Sequence, residues 1–290
     1  MGRLGARLLG TSKWCMPWAA WAFGLFALVA GCAADNRLGP TLGQALVDGP
    51  IRTYASEQAT QIARAALSLS VATQQELGAP RDLMAARAGW RTVRLAYDRG
   101  AAFFFVVSPA LNQALDGRFD DPLATTGLRQ LEPALFASSM PDARRVEALG
   151  QALAVSAVAL ANVTPDAANG VTLSGLLGSL SAQAAVVATK LDGSDSPYAG
   201  ASHLSIEQNL IGLQAMYQAL APAVDRADPA LHQRVQLLLS ALLSQVQGQP
   251  SVDAVRNKVA FLRDCGELSA AFLAIGTALG LSVSAPVDVT

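Results

Sequence analysis

From Tyr54 to Leu77 apolar side chains recur three and four residues apart, at Ile62, Ala65, Ala66, Leu69 and Ala72, with no interior Pro or Gly. That spacing lines one face of a helix and predicts a long amphipathic element. Gly78, Ala79 and Pro80 break it, and Asp82 stands where the free N–H groups of a following helix favour a carboxylate. A second helix is predicted from about Asp82 to Val107, through Trp90, Val93, Tyr97 and the run Phe103, Phe104, Phe105. Similar patterns predict helices near 126–138, 141–163, 170–191, 203–220, 229–247 and 251–282. Turn signals separate them at Ser139-Met140-Pro141, Thr164-Pro165-Asp166, Gly193-Ser194-Asp195, Asp228-Pro229 and Gly248-Gln249-Pro250. No segment alternates with a period of two. The expected fold is all-α, a bundle of about eight antiparallel helices, with two packed four-helix halves as one arrangement.

The N-terminus follows another pattern. An apolar run from Trp18 to Ala30 is preceded by Arg3, Arg7 and Lys13 and closes on Val29-Ala30-Gly31-Cys32. It is shorter than the roughly 20 apolar residues of a spanning helix, so it reads as an export signal. Small residues before a Cys make it a lipoprotein signal, with Cys32 as the lipid-carrying N-terminus. The expected organisation is a signal at 1–31, a lipidated tether at 32–42 and a helical domain at 43–290. Ala33 after the Cys, in place of Asp, favours the outer membrane, facing the periplasm.

A formal charge of −1 with scattered Lys and Arg argues against nucleic acid as a partner. Of three cysteines, Cys15 leaves with the signal and Cys32 is acylated, so Cys265 stands alone and no intrachain disulfide is expected. Within a helical pattern, Cys265 reads as a small buried hydrophobe. The abundance of Ala, Leu, Ser and Gly near 150–190 suits close helix contacts, and it equally suits a GC-rich genome.

Several chemistries lack their residues. There is no His-Glu-x-x-His motif, no Gly-rich phosphate loop and no Gly-x-Ser-x-Gly elbow, and His203 and His232 are the only histidines. Trp90 and Tyr97 are candidates to line a pocket between helices, although an aromatic stripe beside three consecutive Phe more often marks core.

Two stretches carry a resemblance. The first runs from Ala86 through Trp90, Arg94, Tyr97-Asp98 and Arg99, then Leu115-Asp116-Gly117-Arg118-Phe119-Asp120-Asp121, then Gly127-Leu128-Arg129-Gln130-Leu131-Glu132-Pro133-Ala134-Leu135-Phe136. The second has Tyr198, Ser202-His203 and Asn209-x-x-Gly212. Their order resembles the imelysin-like family, which includes the EfeO-type iron-uptake lipoproteins, with its "Arg-x-x-Tyr-Glu", "Asp-x-Arg-x-Asp-Asp", "Gly-x-His-x-x-Glu" and "Asn-x-x-Gly" elements. The resemblance implies iron or another divalent metal as cofactor and iron-uptake proteins as partners, beside the membrane reached through Cys32.

The departures bear on chemistry. Arg129 stands where the family carries its His, and guanidinium has no lone pair for a metal. Arg129 and Glu132, three apart on a helix, are expected to pair. Asp98 replaces a Glu, and Pro133 is expected to kink or delay its helix. Asp98, Asp116, Asp120, Asp121 and Glu132 would suit a hard ion, and His203 with Glu207, four apart, would suit zinc or iron. The expected role is metal binding or scaffolding in iron acquisition with an altered motif and no catalysis. The alternatives are a structural or interaction lipoprotein of the envelope that lost the metal, and a metallopeptidase-like protein.

Overall fold

The computed structural model describes residues 45, 47–75, 83–117, 126–137 and 142–283. The expectations for Cys32, Asp82, Asp120 and Asp121 fall outside these residues. Nine α-helices form among them: α1 (Arg52–Gln75), α2 (Met84–Val107), α3 (Pro109–Asp116), α4 (Leu128–Phe136), α5 (Ala143–Ala167), α6 (Leu173–Thr189), α7 (Ser202–Ala227), α8 (Pro229–Val246) and α9 (Lys258–Ala278). No strand occurs among the described residues, so the fold is an all-α bundle.

The boundaries follow from local chemistry. Asp142 caps α5 by accepting from the N–H of Arg144 and Arg145, and Thr172 does the same for α6 from Gly175. Asp228 caps α8, whose first residue Pro229 needs no partner for an N–H it lacks, and Asn257 caps α9. The helix missing from the sequence reading is α3. Ser108 turns extended (φ −153°), Pro109 starts a new helix, and the eight residues to Asp116 were too few to show a period. Pro133 neither delays nor ends α4, which runs on to Phe136.

Helix α1 packs on α2 and α5, α2 on α6 and α7, α7 on α8, and α9 on α6 and α8. One cluster of buried side chains runs through all of them. Small residues set the closest approaches: at Gly150 of α5 a Cβ would meet Thr73 of α1 at 2.6 Å. Trp90 is fully buried, its Nε1 donating to Leu128 O at 2.9 Å, and Tyr97 is buried with its hydroxyl donating to Asn112 Oδ1 at 2.9 Å. Both are core residues with satisfied polar ends and line no groove, which corrects their reading as pocket residues. Cys265 is fully buried, and burial pushes its thiol up to about 12, with Asp264 adding to the shift.

Candidate functional site: a closed six-charge cluster

One helix crossing and one loop closure bring the polar residues of the resemblance together. Gly117 ends α3 with φ 73° and Gly127 precedes α4 with φ 111°, conformations that disfavour any side chain. Their backbones touch: a Cβ on Gly127 would lie 2.6 Å from Gly117 Cα. This contact places Asp116, the last residue of α3, beside Arg129 in the first turn of α4. Across the bundle Asn209 of α7 donates to Asp98 O at 2.6 Å, and Gly212 one turn later lies directly on the Arg99 carbonyl of α2. The Asn-x-x-Gly element is therefore a crossing device that holds α7 against α2.

Arg94 is the hub, with its side chain 1% exposed. Its Nε donates to Asp98 Oδ2 at 2.9 Å and to Ser205 Oγ at 3.1 Å, and its Nη1 donates to Asp116 Oδ1 at 2.9 Å. Its Nη2 reaches both oxygens of Asp195, at 2.9 and 2.7 Å. Lys190 Nζ donates to Asp98 Oδ1 at 2.9 Å and lies 3.4 Å from Asp195 Oδ2. Arg129 donates from Nε to Asp116 Oδ2 at 3.2 Å and from Nη2 to Asp195 Oδ1 at 2.6 Å. Three cations thus meet three carboxylates, with Arg129 and Asp116 at the rim, their side chains 22% and 26% exposed.

The electrostatics follow from that neutrality. Burial alone would raise the Asp195 carboxyl, but Arg94, Lys190 and Arg129 together hold it well below the usual carboxylate range. Burial opposes charge on Arg94 as well, and Asp195, Asp98 and Asp116 more than compensate, so its guanidinium is held more firmly protonated than usual. Burial likewise opposes charge on Arg129, and Asp116 and Asp195 outweigh it. Tyr97 is pushed up by burial and by the Asp116 carboxylate nearby.

Glu132 is elsewhere, and the expected pair with Arg129 is replaced. Fully buried, Glu132 accepts through Oε1 from Ser196 Oγ (2.9 Å), Tyr198 N (3.0 Å) and Ala199 N (2.8 Å). Burial raises its carboxyl above the usual range, and those three donors oppose the rise. Arg129 instead turns to Asp116 and Asp195, because two carboxylates outbid one that already has backbone donors. Glu132 serves as the anchor of the turn entering α7 and so positions Asp195.

His203 and Glu207 sit half-buried on α7, on the side away from the Ser202, Ser205 and Asn209 face, with His203 Nδ1 buried and without a partner among the described residues. Neither bonds to the cluster, and no third ligand joins them: among the described residues no group of three or more His, Cys, Asp or Glu side chains is placed to hold a metal. Sequence reasoning missed Arg94, Lys190 and Asp195. Arg94 had two signals, its spacing of four from Asp98 and its place ahead of Tyr97 in the Arg-x-x-Tyr element, while Lys190 and Asp195 had none.

The donor set does not fit a resident cation. Asp98, Asp116 and Asp195 already carry two or more charged donors each, and an added ion would face Arg94, Arg129 and Lys190 at close range in a partly desolvated site.

The family model described as Imelysin matches residues 54–262, a span that contains all six charged residues and the α2–α7 crossing. The chain belongs to the imelysin family. No curated protein sequence matches it. Within this imelysin-family chain, the segments that carried the resemblance supply Arg94, Asp98, Asp116 and Arg129 of the charge cluster, the Glu132 anchor and the α2–α7 crossing, while Lys190 and Asp195 come from outside them.

Proposed function

We propose that this imelysin-family protein is a lipid-anchored, periplasm-facing envelope lipoprotein of the outer membrane that works as a binding or scaffold protein in iron acquisition without a resident metal at its altered motif. The observation that carries this reading is the charge cluster, in which Arg129, at the family's His position, pairs with Asp116 and Asp195. A site saturated by its own cations suits a rigid scaffold better than a Lewis acid, so no catalytic residue is assigned and peptidase activity is not part of the reading. The iron connection rests on the resemblance to iron-uptake lipoproteins, and the anchor rests on the Val29-Ala30-Gly31-Cys32 pattern.

The anchor is tested by fractionation in a Gram-negative host. Wild type is expected with the membranes and lipid-labelled, while Cys32→Ser escapes normal processing. Identical cleavage and labelling of the two would overturn it.

The closed site is tested by calorimetric titration with zinc and iron(II). Wild type is expected to bind weakly. Arg129→His removes one cation and supplies an imidazole beside Asp116 and Asp195, so its affinity is expected to rise by roughly tenfold or more. That gain should vanish in Arg129→His, Asp116→Ala, which removes the carboxylate beside the new imidazole. Tight binding by wild type would sink the proposal.

A further inference from the structure

Outside the cluster, two more arginines are held in an unusual way. Arg87 and Arg91 lie one turn apart on α2, on one face of the helix. Both guanidiniums gather on the same ring: Arg87 Cζ is 5.6 Å and Arg91 Cζ 5.3 Å from the centroid of Phe136, the last residue of α4. Phe136 is itself fixed by the edge of Trp90, with centroids 5.2 Å apart and planes at 67°. Arg87 Nε also donates to Leu135 O at 2.7 Å, which uses the negative end of α4 to orient the guanidinium.

Arg94, Arg129 and Lys190 are each bonded to Asp side chains, whereas no acidic side chain pairs with Arg87 or Arg91 among the described residues. Two positive charges are thus held against one aromatic ring, Arg87 half-buried and Arg91 exposed. Planar guanidinium forks bind oxyanions two oxygens at a time. One fork consumes both oxygens of a carboxylate, but a phosphate group has oxygens left for the second.

We propose that Arg87 and Arg91, set on Phe136, form an oxyanion site for a phosphate group. The site is distinct from the six-charge cluster and independent of the lipid anchor. A phosphate there supplies the counter-ion that the described residues lack, beside the exposed Arg91. The same chemistry is offered by free phosphate and by the phosphomonoester headgroup of phosphatidic acid, which keeps three free oxygens.

The test is calorimetric titration of the purified full chain in detergent, first with inorganic phosphate, then with monomeric short-chain phosphatidic acid and, as the phosphodiester control, phosphatidylcholine. Saturable phosphate binding is expected, weakened by roughly tenfold or more in Arg91→Gln and less in Arg91→Lys, with the melting midpoint unchanged. Trp90, the sole tryptophan after Cys32, should report binding through its fluorescence, because it touches Phe136. Tighter binding of phosphatidic acid than of inorganic phosphate identifies a lipid headgroup, and equal affinities identify a free phosphate. Absence of saturable binding up to roughly tens of millimolar, or binding indifferent to Arg91→Gln, overturns the proposal.

Discussion

Arg94→Leu is expected to destabilise the fold by about 3–5 kcal/mol, the range for removing one partner of a buried ion pair. The substitution is close to isosteric along the stem, so packing alone does not account for such a loss. The cost arises because Asp98, Asp116 and Asp195 each lose a charged donor at once, and Asp98 and Asp195 have almost no access to water. Arg94→Lys keeps the charge but cannot reach three carboxylates with one ammonium, so it should fall between wild type and Arg94→Leu. Urea denaturation followed by circular dichroism measures both. A loss below about 1 kcal/mol for Arg94→Leu would mean that the carboxylates find water or each other's protons instead.

Gly212→Ala is the second large effect, with an expected loss of about 3 kcal/mol or more. The added Cβ would meet the backbone of α2, 2.9 Å from Arg99 C and 3.1 Å from its Cα, after a still closer encounter with the carbonyl oxygen. A backbone cannot rotate aside as a side chain can, so α7 must move off α2. That motion also stretches the bond from Asn209 Nδ2 to Asp98 O and carries Ser205 away from Arg94. Thermal melting of Gly212→Ala beside Gly266→Ala, where a Cβ meets nothing within 4 Å, separates crossing strain from ordinary helix propensity. Gly266→Ala should be neutral or slightly stabilising. Equal melting midpoints for the two would contradict the crossing as described.

Much of this fold is legible in the chain because helix signals are local. The period of Ile62, Ala66 and Leu69, the breaks at Pro141, Pro229 and Pro250, and the caps at Asp142 and Asp228 all lie within a few residues of the helices they specify. The break at Ser108-Pro109 escaped because the apolar run continues on both sides of it. The site was legible only in part. Asp98, Asp116 and Arg129 come together as the ordered motifs suggested. Their partners arrive from the turn after α6 and from the segment before α7, about a hundred residues from Arg94 in the case of Asp195. Ion pairs of that kind leave no periodic trace. Glu132 misled for a related reason, since spacing of three from Arg129 proposes a pair but says nothing of backbone donors brought in by Tyr198 and Ala199. His203 and Glu207 share a face as their spacing requires, yet that face is turned away from the carboxylates.

The central claim is that three side-chain cations complete this site in place of a metal ion, and thermal melting of the purified wild type tests it most directly. Anything that binds the native state alone raises its melting midpoint in proportion to the logarithm of its concentration. The account predicts one midpoint in chelator, in excess zinc and in excess iron(II) under anaerobic conditions. A midpoint that rises with metal concentration, and no longer does so in Asp116→Ala, would contradict it.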